Sequence, residues 1–98
     1  MSALDELWTV VRSVPPGCVA SYGEVGRALS RPVSGVLVGK WMAACPHDVP
    51  WWRIVGKSGD LLVAGRHPEL GLLQKQRLER EGVEFDGDRV APGCFWIP

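Results

Sequence analysis

Proline and glycine divide this 98-residue chain into short segments, which limits it to short helices joined by tight connections. The segment Pro15-Pro16-Gly17 ends a first helix that is predicted over residues 2–13. Ser2 is placed to cap this helix, and acidic residues occupy its first turns, where the helix dipole favours negative charge. Its apolar stripe consists of Leu4, Leu7, Trp8 and Val11.

The next two segments form a helix-turn-helix candidate. Ser21 and Glu24 have the spacing of a capping box, so a second helix is expected over residues 22–29. The segment "SRPV" interrupts the chain, and Pro32 suits the first turn of a third helix through "VSGVLVGKWMAA". A short helix, a tight connection and a longer helix predict this motif, although the pattern alone is weakly specific.

The second half of the chain mixes extended and helical signals. "CPHDVP" is typical of a loop, "WWRIV" is extended and apolar, and "DLLVAG" is a second short strand or loop, so the pair predicts a small hairpin or wing. A last helix is predicted in "HPELGLLQKQRLEREG", with Gly82 as its C-cap, and the tail is expected to pack across the body. Residues 1–98 are therefore interpreted as a single domain, mainly α with a small β-hairpin or wing.

Composition narrows the function classes. The net charge of zero argues against a histone-like binder, yet six basic residues against two acids lie between residues 27 and 66. These residues indicate either a basic face for nucleic acid or a solvated surface, and composition favours neither. The three cysteines, Cys18, Cys45 and Cys94, are widely spaced and form no CxxC pair, so no zinc site, disulfide framework or cofactor is predicted.

The expected location of the chain is the cytoplasm, near the nucleoid if the source is bacterial. The acidic start "MSALDELW" is unlike a signal peptide. No stretch approaches the ~18 to 20 consecutive apolar residues of a membrane helix, so no membrane partner is expected.

The third predicted helix presents a face of small residues, namely Ser34, Gly35, Val36 and Gly39. A helix with side chains is about 10 to 12 Å across, whereas the minor groove of B-DNA is about 6 Å wide, so a helix entering that groove needs such a face. Close packing of this helix on another helix explains the glycines equally well.

Four motifs, in order, resemble one family. "VPPGCVASYGEVGRAL", "RPVSGVLVGKWM", "VPWWRIVGKSGDL" and "QRLEREGVEF" resemble the DNA-binding, active-site half of the O6-alkylguanine-DNA alkyltransferases. The likeness runs from about Leu4 to Phe85. It implies a winged helix-turn-helix-like domain of the alkyltransferase C-terminal type.

The likeness breaks at the reacting residue. Where the transferases carry Pro-Cys-His-Arg, this sequence has Pro50-Trp51-Trp52-Arg53. Trp51 stands at the nucleophile, Trp52 stands at the histidine that relays its proton, and Glu81 matches the acidic member of the network. An indole has no lone pair for attack on an alkyl carbon and shuttles no proton at neutral pH, so transfer by this route is chemically impossible.

The chain therefore resembles the alkyltransferase-like proteins, which have tryptophan at the cysteine position. These proteins bind DNA that carries O6-alkylguanine, flip the base through the minor groove, bend the duplex and pass the lesion to nucleotide excision repair. The resemblance implies a non-catalytic sensor, and the chain is expected to be a monomer. Its implied partners are double-stranded DNA containing O6-alkylguanine and nucleotide excision repair proteins.

The resemblance also implies roles for individual residues. Tyr22 would help rotate the nucleotide, Val36 stands where the family has an arginine finger, and Trp51 would stack on the base in a pocket. Alternation along a strand would turn Trp52 toward the core, with Arg53 tying that core to the following loop. The remaining pocket and helix-face residues are Ser34, Gly35, Gly39, Met42, Pro50, Val55, Ala64 and Gly65, and the candidate phosphate contacts are Ser21, Arg31, Lys40, Lys57 and Arg66.

Other readings stay open at this point. Trp51 could simply fill the space of a cysteine, and Cys45, with His47 in the same loop, could be a substitute nucleophile in an enzyme. Val36 also permits a decayed member that binds DNA without lesion preference or that serves as a protein-interaction module. A sequence-specific repressor is disfavoured because the third helix lacks base-reading side chains.

Overall fold

The computed structural model describes residues 2–46 and 48–98 and confirms the mainly helical class. Four α-helices and two small sheets make up its regular structure. The helices are α1 (Ala3–Ser13), α2 (Tyr22–Arg27), α3 (Gly35–Met42) and α4 (Pro68–Arg80), and the strands are β1 (Ala20–Ser21), β2 (Ile54–Val55), β3 (Phe85–Asp86) and β4 (Arg89–Val90). Within the described residues, no helix is both long and apolar enough to cross a membrane.

The ends of α1 and α4 agree with the sequence. The Ser2 hydroxyl accepts a hydrogen bond from the Asp5 amide at 3.1 Å, as predicted for the first cap. Gly82 follows α4 with φ +87°, the left-handed conformation that glycine adopts without strain. The predicted apolar stripe of α1 is narrower than expected, because Leu7 and Val11 are fully buried whereas Leu4 is 41% exposed.

The helix-turn-helix is present, with α3 starting later than predicted. The Ser34 hydroxyl accepts from the Leu37 amide at 3.2 Å and caps α3, so Pro32 lies before the helix and not in its first turn. The reason is the close path of the connection along α2: the Val33 amide donates to the Gly26 carbonyl at 3.2 Å. A Cβ at Gly26 would lie 2.2 Å from the Val33 carbonyl oxygen, so only glycine permits this approach.

The predicted hairpin of "WWRIV" and "DLLVAG" is wrong. Residues Trp51–Arg53 and Leu62–Gly65 are short 3₁₀ helices, and β2 pairs instead in parallel with β1, with Ala20 opposite Ile54. The antiparallel hairpin of the molecule is β3–β4, near the C-terminus. Apolar character along "WWRIV" indicated burial but did not distinguish a strand from a tight turn that enters one.

The core consists of two adjoining clusters that the C-terminal tail helps to close. One cluster lies among α1, α2, α3 and β2, and the other contains Val19, Val55 and Leu78. The tail packs across the body as predicted, since the Val19 amide donates to the Cys94 carbonyl and the Trp96 amide donates to the Val19 carbonyl.

Candidate functional site

A cleft of about 930 Å³ opens between the helix-turn-helix and α4. Its walls come from the start of α2, one side of α3, the turn at Trp51, the segment from Gly56 to His67 and one face of α4. Many residues singled out from the sequence lie together here. These are Tyr22, Gly35, Val36, Gly39, Lys40, Met42, Trp51, Lys57 and Arg66.

Other predicted residues lie outside the lining of the cleft. Pro50 is buried and does not line the cleft, so it is not in the pocket wall where the sequence suggested it. The Val55 side chain is fully buried in the core. Ser21 is buried as the N-cap of α2, which leaves its hydroxyl occupied by the Glu24 amide. The exposed residues Ser34, Arg31, Ala64 and Gly65 complete this set.

Helix α4 contributes a wall that the sequence argument missed. Leu70, Leu73 and Arg77 line the cleft at the spacing of one helical face. This spacing is visible in the sequence, but spacing alone does not distinguish a cleft wall from a core face. Cys45, considered above as a substitute nucleophile, also lines the cleft, and the other unpredicted lining residues are Gly23, Ala43, Gly56, Leu62, Val63 and His67.

The glycines of α3 serve two purposes. A Cβ at Gly35 would lie 2.9 Å from the Gly23 amide nitrogen, so Gly35 lets α3 pack closely on the start of α2. At Gly39 no described atom lies within 4 Å of the place that a Cβ would occupy, apart from its chain neighbours and the nearby backbone of α3 itself, and this residue faces the open cleft. Val36, one turn before Lys40, is 73% exposed at the cleft edge. Helix packing therefore explains Gly35 and does not explain Gly39.

The two tryptophans of "VPWWRIV" diverge in direction. Trp51 is half-buried in the cleft wall, whereas Trp52 packs against the cluster of Val19, Val55 and Leu78. Their rings meet edge to face, with centroids 6.1 Å apart and planes at 85°. The inward direction predicted for Trp52 is right, but its stated reason is wrong, because residues 51–53 form a 3₁₀ turn and not an alternating strand.

Glu81 anchors this turn. The Trp52 Nε1–H donates to the Glu81 carboxylate at 3.2 Å, and Arg53 donates to both Glu81 oxygens at 3.0 and 2.6 Å. Arg53 also donates to the Val14 carbonyl at 3.0 Å, so it ties the turn to the ends of α1 and α4 and not to the following loop. Burial acts to raise the pKa of Glu81, but the hydrogen bonds from Arg53 and Trp52, the charge of Arg53 and the Gly17 amide together lower it.

Gln74 of α4 stabilises the same turn through hydrogen bonds to its backbone. This side chain is 1% exposed, and its Nε2 donates to the carbonyls of Trp52 and Ile54 at 3.1 Å each. Its Oε1 is buried and has no hydrogen-bond partner within the described structure. The two donated bonds pair the carbonyls of Trp52, in the turn, and of Ile54, the first residue of β2.

The charged side chains that line the described cleft are all basic, namely Lys40, Lys57, Arg66 and Arg77. None of the four is in an ion pair with another described residue. A neutral protein therefore has a cationic cleft, and such a concave surface attracts polyanions.

Two titratable groups in the cleft are held in their neutral forms. Burial raises the pKa of the Tyr22 hydroxyl. Burial, and secondarily the charge of Asp48, raise the pKa of the Cys45 thiol, which disfavours the thiolate that a nucleophile requires. His47, considered above as an activating base, lies outside the described residues, and the described part of the chain contains no cluster of three or more His, Cys, Asp or Glu side chains that could hold a metal.

Comparison with known proteins decides the family. The family model described as "6-O-methylguanine DNA methyltransferase, DNA binding domain" matches residues 3–83. The chain belongs to this family. The resemblance inferred from the four motifs is thereby confirmed.

The relatives include proteins named for base flipping and for likeness to the alkyltransferases. The DNA base-flipping protein of Vibrio parahaemolyticus is 32% identical over 83 residues, which are 83% of this chain and 80% of the relative. Alkyltransferase-like protein 1 of Schizosaccharomyces pombe is 34% identical over 92 residues, covering 84% of this chain and 81% of the relative.

Solved structures of the family share the fold. S. pombe Atl1 in complex with damaged DNA containing O6-carboxymethylguanine matches with a TM-score of 0.77 and 30% identity, covering 97% of this chain and 94% of Atl1. The Mycobacterium tuberculosis O6-methylguanine methyltransferase matches with a TM-score of 0.68 and 26% identity, and this chain spans 48% of its length. These matches confirm the alkyltransferase-type fold.

Proposed function

We propose that this protein recognises O6-alkylguanine in double-stranded DNA without catalysis, by taking the flipped base into the cleft beside Trp51. One observation carries the proposal: a half-buried indole lines a cleft of about 930 Å³ whose charged lining residues are all basic. The cations suit the phosphate backbone, and the indole suits a flat base, on which stacking contributes about 1 to 3 kcal/mol.

The relatives support the same function at a coarser level. One is named a DNA base-flipping protein, and the structure of another was solved with DNA containing O6-carboxymethylguanine. Extrusion of a base costs a few kcal/mol, and it costs least for a base that pairs poorly, so the lesion itself supplies part of the selectivity.

The chemistry of the site supports binding without transfer. The Trp52 indole donates its hydrogen to Glu81 as an imidazole could, but the indole has no second nitrogen to accept a proton from a nucleophile. Trp51 offers no nucleophilic atom at the cleft wall. A lesion that enters this cleft therefore stays intact, and we expect its removal by nucleotide excision repair proteins recruited to the complex.

Val36 fits this function as an apolar wedge. Minor-groove proteins often insert apolar side chains between base steps, and Val36 is 73% exposed on the α3 edge of the cleft. A valine cannot hydrogen-bond to the base left unpaired by flipping. We therefore expect lesion preference to come mainly from contacts between the flipped base and the cleft, and only weakly from contacts between Val36 and the base left unpaired in the duplex.

The test is equilibrium binding at fixed salt to matched short duplexes with and without one O6-methylguanine. Wild-type protein is compared with Trp51→Ala, which removes the ring, and with Trp51→Phe, which keeps a smaller flat surface. Lesion preference should fall about tenfold in Trp51→Ala, equivalent to about 1.4 kcal/mol of lost stacking, and should fall less in Trp51→Phe.

Two results would contradict the proposal. Equal affinity of the wild type for damaged and undamaged duplexes would remove lesion recognition. A mass increase of one methyl group on the protein after incubation would show transfer, and its location at Cys45 would identify an enzyme.

The expected partner is tested by a pull-down of excision repair proteins in the presence of lesion-bearing or undamaged DNA. Capture that depends on the lesion would support recruitment, and capture that does not depend on it would refute recruitment.

A further inference from the structure

Arg77 has a defined position inside the cleft. Its guanidinium carbon lies 4.6 Å from the centroid of the Trp52 ring, within the range of a cation–π contact. The side chain is half-buried and lines the cleft with Leu70 and Leu73 of the same helix. Trp52 therefore has a second role besides core packing, because it supports a cation on the cleft wall.

The acidic residue at the spacing of a helical ion pair from Arg77 is Glu81, and it is engaged by other side chains. Glu81 follows Arg77 by four residues, the spacing of a helical ion pair. Both Glu81 oxygens, however, accept hydrogen bonds from Arg53, and one accepts a further bond from Trp52. Within residues 2–46 and 48–98, Arg77 forms no ion pair.

Arg77 differs from the other cations of the cleft. Lys40, Lys57 and Arg66 are exposed, as expected for groups that meet phosphates along a duplex. Arg77 is half-buried with its guanidinium over the Trp52 ring, and a guanidinium can meet a planar anion with two parallel N–H donors. An attraction of this kind strengthens as water is excluded from the cleft.

The position of Arg77 relative to Trp51 indicates what it would meet. Trp52 contacts both residues, at 6.1 Å to the Trp51 ring and 4.6 Å to the Arg77 guanidinium. Trp51 and Arg77 also line the same cleft, so a base on Trp51 would share that cleft with Arg77. The substituent at O6 is the part that varies between lesions.

We propose that Arg77, which lies over the Trp52 ring, is the anion-binding residue of the cleft and favours guanines whose O6 substituent ends in a carboxylate over neutral substituents of the same size. The proposal rests on the function proposed above. The anionic oxygen could also come from a backbone phosphate, and the experiment separates these two sources.

The experiment measures the affinity of four proteins for three duplexes that differ at one position. The position holds guanine, O6-carboxymethylguanine or the neutral amide analogue of the latter. The proteins are wild type, Arg77→Gln, Arg77→Lys and, as a control of equal charge change on an exposed site of the same helix, Arg80→Gln. Circular dichroism and thermal melts establish that each variant is folded.

The wild type should bind the carboxymethyl duplex about tenfold more tightly than the amide duplex, as expected for one charge-assisted hydrogen-bonding contact. Arg77→Gln should reduce this ratio to about one, Arg77→Lys should give an intermediate ratio because lysine lacks the planar fork, and Arg80→Gln should leave the ratio unchanged.

Three results overturn the proposal. One is a wild-type ratio near one, and another is a ratio that survives in Arg77→Gln. The third is an equal loss of affinity for all three duplexes in Arg77→Gln, which would assign Arg77 to a phosphate. If both lesions are still preferred over guanine, only this inference fails; if neither lesion is preferred by the wild type, the proposed function fails as well.

Discussion

Replacement of Gly39 by alanine should make the protein more stable and a weaker DNA binder. Gly39 lies within the eight-residue helix α3, where alanine is favoured over glycine by roughly 0.5 to 1 kcal/mol. Apart from its chain neighbours and the nearby backbone of α3, no described atom lies within 4 Å of the added Cβ, so no overpacking offsets this gain. For a domain of this size the gain corresponds to a rise in melting temperature of about 2 to 8 °C.

The matched comparison is Gly35→Ala in the same helix. Its Cβ would lie 2.9 Å from the Gly23 amide nitrogen and 3.3 Å from the Gly23 Cα, so α2 and α3 must move apart. Overpacking of this kind costs about 1 to 3 kcal/mol. Thermal and urea unfolding should therefore shift in opposite directions for the two variants, although each adds a single methyl group.

Binding completes the test. The added methyl group at position 39 projects into the cleft, and we expect it to weaken binding to damaged and undamaged duplexes while the protein is more stable. Loss of stability in Gly39→Ala would refute the assignment of open space around this residue. A gain of stability with unchanged DNA affinity would show that the exposed side of α3 does not contact DNA.

Three further predictions follow from the site. The pKa of Glu81 is lowered in the folded protein from its ordinary value of 4.5, so its contribution to stability should be complete near neutral pH and lost as the pH falls below 4.5 and through the folded value. Urea unfolding measured against pH should show this fall in the free energy of unfolding. Glu81→Gln should lower stability at pH 7 and reduce its dependence on pH. A pH dependence that is the same in Glu81→Gln would contradict this. Gln74→Met should cost about 2 kcal/mol by leaving the carbonyls of Trp52 and Ile54 unpaired, which denaturant titration measures, and a neutral effect would mean that water replaces the amide. Val36→Arg should leave the melting temperature nearly unchanged, because the side chain is 73% exposed, and should increase the affinity for damaged duplex by supplying a hydrogen-bond donor; an unchanged affinity would place this residue outside the interface.

The parts of the fold that could be predicted are those determined by neighbouring residues. Ser2 caps α1, Ser21 caps α2 and Gly82 ends α4, and in each case the responsible group lies within a few residues of the effect. The capping box was only half right: the Ser21 hydroxyl accepts from the Glu24 amide, whereas the Glu24 carboxylate pairs with Arg27.

The parts that could not be predicted depend on contacts between distant segments. The strand β2 pairs with β1, more than thirty residues earlier, and the turn before it is fixed by Gln74 and Glu81 of α4 and its C-terminal end. No local pattern in "WWRIV" reports these partners. The same limit explains Arg77, whose periodicity is visible in the sequence while its stacking on Trp52 is not.

The candidate site was predictable to the extent that the resemblance supplied it. Tyr22, Met42 and Trp51 lie in one cleft, as their places in the motifs suggested. Pro50 adjoins Trp51 in sequence but is buried and does not line the cleft, whereas Trp51, which starts the 3₁₀ turn, does. The direction of adjacent residues depends on backbone conformation, which spacing does not specify.

The Arg53 guanidinium has a consequence for how the cleft behaves before any DNA arrives. It joins Val14, at the end of α1, to Glu81, at the end of α4, with side chains of Arg53 and Glu81 only 13% and 17% exposed. These bonds bring together parts of the chain that are far apart in sequence, so they form only after the long loops between them have closed. The amide hydrogens around these bonds should thus exchange only through global unfolding, and a turn held in this way has little ordering entropy left to lose on binding.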